Sequence, residues 1–233
     1  MATRFYLPAS AASTPITPTP DAAWEDTSIL ARAMTSTAVI SDAMATVSFS
    51  DADETNKDIL FRQWISAPLT AGQTITGSQA LKAQVRGSER LSGNNLFLTL
   101  GIRVIAANGT TVQKVVLAPT RDDVELTSPL ATLTNRQFTA TSAATNYTTV
   151  AGDRLCIELG VGGDPITAND HDSDLRLGDA AAADLAEDDT STTDNNPWVQ
   201  LTDTLTFSAA AVPTDIGAAF SAPELPEALM LPY

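Results

Sequence analysis

Asp170, His171, Asp172, Ser173 and Asp174 are the residues whose types and spacing come nearest to chemistry in this chain. Carboxylates at every second position can converge on a hard, oxygen-seeking cation if the backbone curls, which makes Asp170, Asp172 and Asp174 candidate Ca²⁺ ligands. The run departs from an EF-hand loop: Leu175 stands where that loop needs glycine, and Ala181 where it needs its bidentate glutamate. The competing reading is a plain solvated acidic loop. His171 is the sole histidine, so a Ser-His-Asp hydrolase would have to use it. No Gly-x-Ser-x-Gly elbow accompanies it, and a general base must be held within reach of its nucleophile. His171 is therefore expected to be a solvated loop residue.

Other chemistries have less support. One cysteine and one histidine cannot build a zinc site. Val161-Gly162-Gly163-Asp164 has neither the spacing nor the lysine of a phosphate loop. Asp153 and Glu158 are available as a carboxylate pair, but strand alternation puts them on opposite faces. Cys156 falls in a strand pattern and reads as structural. Trp24, Trp64 and Trp198 are a candidate sugar-stacking platform, with core packing and arm anchoring as the blander use. No residue is expected to be catalytic, and Ca²⁺ is the one cofactor that the residue pattern leaves open.

The elements that would position these residues are strands. Leu96, Leu98, Leu100, Ile102 and Val104 form one aliphatic face, and Asn108-Gly109 follows as a type I′ turn signal. That turn pairs Ala107 with Thr110 and sets Ile102 against Val115 and Leu100 against Leu117. Further strands are expected at 45–49, 59–65, 74–76, 81–85, 155–161 and 199–207. A Thr-rich strand pair is expected at 130–141. No stretch carries helical periodicity. The pattern predicts an all-β fold: an antiparallel β-sandwich, with a jelly roll as first choice. Between Gly162 and Pro197 the alternation stops, and ten acids face Arg176 alone. Leu175-Arg176-Leu177 fits a short strand there, and Asp179 a cap for one helical turn over 180–183. The organisation expected is an extended arm over 1–28, a sandwich over 29–208 with a long acidic loop at 162–197, and a second extended arm over 209–233.

The net charge of −15 opposes binding to nucleic acid phosphates. A lone cysteine excludes a disulfide scaffold. No run is long enough to span a membrane or to serve as a secretory signal, so synthesis and folding in a cytoplasm are expected. Pro8, Pro15, Pro18 and Pro20 keep the first arm extended. Phe5, Tyr6, Leu7 and Trp24 in it, and Leu229, Met230, Leu231 and Tyr233 in the last segment, are candidate subunit contacts. The first arm is either a floppy terminus or an arm that lies on a neighbouring subunit or on its own sandwich. If it grips a neighbour, deleting 1–28 leaves a folded domain.

Several stretches together resemble a known group. They are Arg4-Phe5-Tyr6-Leu7-Pro8, Trp24-Glu25-Asp26-Thr27, Gly152-Asp153-Arg154-Leu155, Leu175-Arg176-Leu177-Gly178-Asp179, Ala183-Asp184-Leu185 and Asn196-Pro197-Trp198. In that order they resemble a poorly characterised group of virion structural proteins of tailed bacteriophages and prophages. The resemblance implies a non-enzymatic part of a phage particle, made in the host cytoplasm, with other virion proteins such as the major capsid protein as partners. Capsid decoration by a homo-oligomer is the expected role. A tail or baseplate component, or a carbohydrate-binding module for host recognition, is the alternative.

Overall fold

The computed structural model describes residues 2–10, 13–39, 42–51, 55–163, 171–180 and 183–208. Among the described residues thirteen strands form in chain order: β1 (Thr3–Tyr6), β2 (Ala31–Met34), β3 (Ala45–Phe49), β4 (Lys57–Ile65), β5 (Thr74–Ile75), β6 (Ala80–Glu89), β7 (Leu96–Ile105), β8 (Val112–Glu125), β9 (Thr134–Thr141), β10 (Tyr147–Thr148), β11 (Arg154–Gly163), β12 (Ser173–Leu177) and β13 (Trp198–Leu201). Among the described residues there is no helix, hence none long and apolar enough to cross a membrane.

Two sheets face each other. One runs β2-β4-β11-β7-β8, antiparallel except for the parallel β2–β4 pair. The other is built on β6. Along one edge of β6 lies β9; along the opposite edge β13 pairs with Leu81–Gln84 and β12 with Arg86–Glu89, end to end. Beyond β13 lies β1, and beyond β12 lies β3. A small β5–β10 ribbon stands apart. The fold is thus the all-β sandwich that the alternation predicts, while this strand order does not establish a jelly roll.

Period-2 alternation accounts for the core. Leu98, Leu100, Ile102 and Val104 of β7 and Leu155, Ile157, Leu159 and Val161 of β11 face inward against Leu81, Ala83 and Val85 of β6 and Val199 and Leu201 of β13. Leu175 and Leu177 do the same from β12, the short strand expected in the acidic stretch.

Four expectations need correction. The hairpin starts in the predicted register, with Ile105 opposite Val112, but β8 is longer than β7 and bulged. Ile102 therefore faces Leu117 and Leu100 faces Thr120. Its turn is not type I′. Gly109 alone takes a positive φ of 77°, its N–H donates to Ala106 at 2.9 Å, and the Asn108 side chain accepts the N–H groups of Thr110 and Thr111 at 3.0 Å each. As an edge strand β8 tolerates Pro119 and the bulges, both of which discourage further pairing. Between 130 and 141 one strand forms rather than two. The last strand stops at Leu201, after which Leu205 and Phe207 still pack inward. The helical turn at 180–183 falls partly outside the described residues.

The first 28 residues are not a free arm. β1 belongs to the sheet, pairing Thr3 with Leu201 and Tyr6 with Trp198. Phe5 and Leu7 lie in the core.

Candidate functional site

Polar side chains collect on the outer faces of the two sheets, and each face is covered by the chain itself. On the β4-β11-β7 face, Glu158 is fully buried. It stands opposite Gln63 on β4 and Gly101 on β7 in the ladder, with Arg103 two residues beyond Gly101. Its carboxylate accepts the Trp24 indole N–H at 3.0 Å and the Gln63 amide at 2.7 Å, and it forms a short ion pair with Arg103. The backbone N–H of Asp21 donates to it at 3.3 Å. Arg103 also donates to the Thr19 carbonyl at 2.8 Å, and Arg32 to the Pro18 carbonyl at 3.2 Å. Proline cannot donate to a ladder, so the 13–24 stretch is held by side chains reaching up from the sheet to its carbonyls. Ile16 completes the cover by packing on Ile65, Ile105 and Cys156. Burial pushes the Cys156 thiol well above its ordinary range, so this cysteine is structural as expected.

On the other face the acidic stretch 183–196 is a strap, not a solvated loop. Asp184 pairs with Arg4 of β1, Glu187 with Lys82 of β6, and Asp194 with Arg86 of β6; Arg176 of β12 lies 3.5 Å from Asp194. The hydrogen bond to Glu187 holds the Lys82 ammonium above its ordinary pKa. Beneath the strap, Asn135 donates to Asp189 and to the Thr193 carbonyl, each at 3.0 Å. Arg4 stacks 3.8 Å over the Trp198 ring, whose N–H donates to the Leu185 carbonyl at 2.7 Å.

Of the Asp170–Asp174 run, the described residues Asp172 and Asp174 do not come together as a ligand set. Asp170 lies outside the described residues. Asp172 is buried, and its carboxylate sits 2.5 Å from Arg90, a cation already in place. Asp174 is half-buried within β12. Among the described residues no three acids, histidines or cysteines are placed to hold a metal ion. His171 is fully buried rather than solvated, its backbone N–H donating to the Asp51 carbonyl at 3.1 Å. The Ser173 hydroxyl donates to the main-chain oxygen of His171, not to its ring.

At the same end of the sandwich Glu89 is almost fully buried and accepts the Leu96 N–H at 2.9 Å. Burial pushes its carboxyl up to about 8; the Leu96 N–H works against this and the neighbouring Glu125 adds to it. Asp153 does not pair with Glu158. It accepts the Tyr147 hydroxyl at 2.6 Å and the Val150 N–H at 2.8 Å, closing the turn into β11.

The tryptophan platform is overturned. Trp24, Trp64 and Trp198 are all buried, and each indole N–H has a partner within the chain, Glu158, Pro8 and Leu185 respectively. Phe5, Tyr6, Leu7 and Trp24, expected as subunit contacts, are likewise buried in their own subunit. Of the positions expected for the first arm, its described residues therefore take the one on their own sandwich. Leu229, Met230, Leu231 and Tyr233 lie outside the described residues. Sequence reasoning did not find Arg103 and Gln63. The signal available was a cation in the middle of the most aliphatic strand, where only a buried counter-charge makes it tolerable.

No family model matches the chain, and no curated protein does. Among solved structures it is similar to a CocE/NonD family hydrolase from Staphylococcus aureus, at 11% identity and a TM-score of 0.44, covering 87% of this chain and 36% of that one. It is also similar to the VP2 subviral particle of infectious bursal disease virus, at 13% identity and a TM-score of 0.25, covering 69% of this chain and 40% of that one. The chain thus spans about a third of the hydrolase's length, and at these values neither likeness bears on activity or partners.

Proposed function

We propose that this chain is a non-enzymatic structural subunit of a tailed-bacteriophage particle, a capsid-decoration sandwich present in multiple copies. One observation carries the reading: charged side chains on the outer face of each sheet hold the chain's own coverings in place. Glu158 and Arg103 fix the first arm, while Arg4, Lys82 and Arg86 fix the acidic strap. A rigid body closed on both outer faces suits a part that must persist on a particle surface. The motif resemblance to phage virion proteins and the net charge of −15, which opposes nucleic acid, favour the same role. With the first arm turned inward, residues 209–233 are the remaining candidate for gripping a neighbour.

Immunogold labelling of particles from the strain that encodes the chain tests this. Regular labelling of heads is the expected result. Labelling confined to tails moves the subunit to the tail or baseplate, and purified particles without the chain overturn the proposal.

A further inference from the structure

The outer edges of the two facing sheets are engaged or obstructed, with one exception among the described residues. β1 is tied to the chain just past β2, the Tyr6 N–H donating to the Ser36 carbonyl at 2.8 Å, and β2 itself carries the charge of Arg32, bound to the Pro18 carbonyl. On the opposite side β8 and β9 meet: the Ala143 N–H donates to the Val116 carbonyl at 2.8 Å, and Asp122 of β8 lies 3.7 Å from Arg136 of β9. β8 is further obstructed by Pro119 and its bulges.

The exception is β3. Among the described residues its main chain pairs with β12 alone, in unbroken register. It holds no charge and no proline, the devices by which natural edges discourage added strands. Phe49 and Val47 face the core, while Ala45, Thr46 and Ser48 are exposed. Met44, a large apolar side chain 41% exposed, stands at its start.

The occupant that this edge fits is itself. Copies of a chain with a net charge of −15 repel one another, so contact is least opposed where main-chain groups make the bonds and no side chain is charged. Ala45-Thr46-Val47-Ser48-Phe49 also matches its own reverse: turned about Val47, Thr46 falls opposite Ser48, Ala45 opposite Phe49, and Asp51 opposite Ala43 rather than another acid. Facing hydroxyl and β-branched side chains stabilise adjoining strands.

We propose that β3 pairs edge to edge with β3 of a second copy of this chain, antiparallel about a two-fold axis at Val47. The sheet then runs on from one copy into the other. Five residues a side fall well short of the roughly 1,200 Å² of a stable interface, so the pair is weak and forms where copies are concentrated. The pairing stands on the open edge and not on the virion reading.

The test mixes two full-length variants, Thr46→Cys and Ser48→Cys, under mild oxidation; Cys156 is buried and does not compete. The expected result is a disulfide between the two forming roughly tenfold or more faster than between chains carrying the exposed control Val150→Cys, because pairing raises the effective concentration. A rate equal to the control overturns the proposal. So does Thr46→Cys linking to its own kind faster than to Ser48→Cys, which puts the axis elsewhere, or linking in particles only to a different protein. A second measurement needs no cysteine: Thr46→Lys/Ser48→Lys, which opposes like charges across the axis, should weaken self-association in sedimentation equilibrium roughly tenfold, and mixing it with Thr46→Glu/Ser48→Glu should restore it. Association that the lysines leave unchanged also overturns the pairing. Cross-linking by a chain absent from particles sinks the virion reading and leaves the edge pairing standing; a particle-borne chain without cross-linking does the reverse.

Discussion

Glu158 sits in a place where water does not reach, and Arg103, Gln63, Trp24 and the Asp21 N–H all point at it. Removing one partner of such a pair strands the other, at about 3–5 kcal/mol. Arg103→Leu is accordingly expected to lower the urea midpoint by that order, and Trp24 fluorescence should shift to the red as its cover loosens. Pairing it with Glu158→Leu should restore much of the loss, since no charge is then left buried. A double variant no better than the single one would mean that the carboxylate is not paired as described. Glu89 makes the opposite case. Its carboxyl pKa rises from 4.5 to about 8 on folding, so between those values the folded chain holds a proton that the unfolded chain releases. Stability must then fall as pH rises through this window, by up to about 1.4 kcal/mol per pH unit. Glu89→Gln, which cannot ionise, should flatten the melting temperature across the window and exceed the parent at its upper end. A parent that is equally stable at both ends excludes the buried proton.

The strap and the bulged strands belong to a larger scale. Four cations from β1, β6 and β12 hold the strap by its acids, and such half-exposed pairs are individually worth about 0–1 kcal/mol and weaken with salt. Asp184→Asn with Asp194→Asn should speed hydrogen exchange at the Leu185 and Asn196 amides by roughly tenfold, with β7 and β11 unchanged. Exchange that rises equally everywhere would make the strap part of the global unfolding unit. Where β4 bulges against β11, a Cβ on Gly160 would meet the Ile59 carbonyl oxygen at 1.8 Å. Gly160→Ala should therefore cost about 1–3 kcal/mol through forced backbone shifts, read from the denaturation midpoint. This scale also marks how far the sequence can be read. The strands β6, β7, β11 and β12 were legible because alternation is a local property. The bulges of β8 were not, since they answer to an edge position that only the assembled sheet creates. The strap looked like open loop because its counter-charges stand far away in the chain, with Arg4 and Asp184 separated by 180 residues. For the same reason His171 and the tryptophans could be assigned a residue type but not a burial.

For the whole molecule the position of the first arm reverses an expectation. Phe5, Leu7 and Trp24 are buried, and at roughly 1.5–3 kcal/mol each they contribute about 5–9 kcal/mol. That is comparable with the ~5–15 kcal/mol that keeps a domain folded. Deleting residues 2–28 should therefore abolish the cooperative melting transition, not leave a folded domain; a truncated chain that melts normally would show the arm to be an accessory. The pairing of β1 with β13 has a further consequence for biosynthesis. Thr3 lies opposite Leu201, and its hydroxyl both donates to the Asp203 carbonyl and accepts the Leu205 N–H, each at 2.8 Å. A nascent chain emerging from the ribosome thus carries β1 without a partner until β13 has been translated. Loop closure over so great a separation is slow. In the interval Phe5 and Tyr6, buried in the finished fold, are open to chaperones and to other nascent chains.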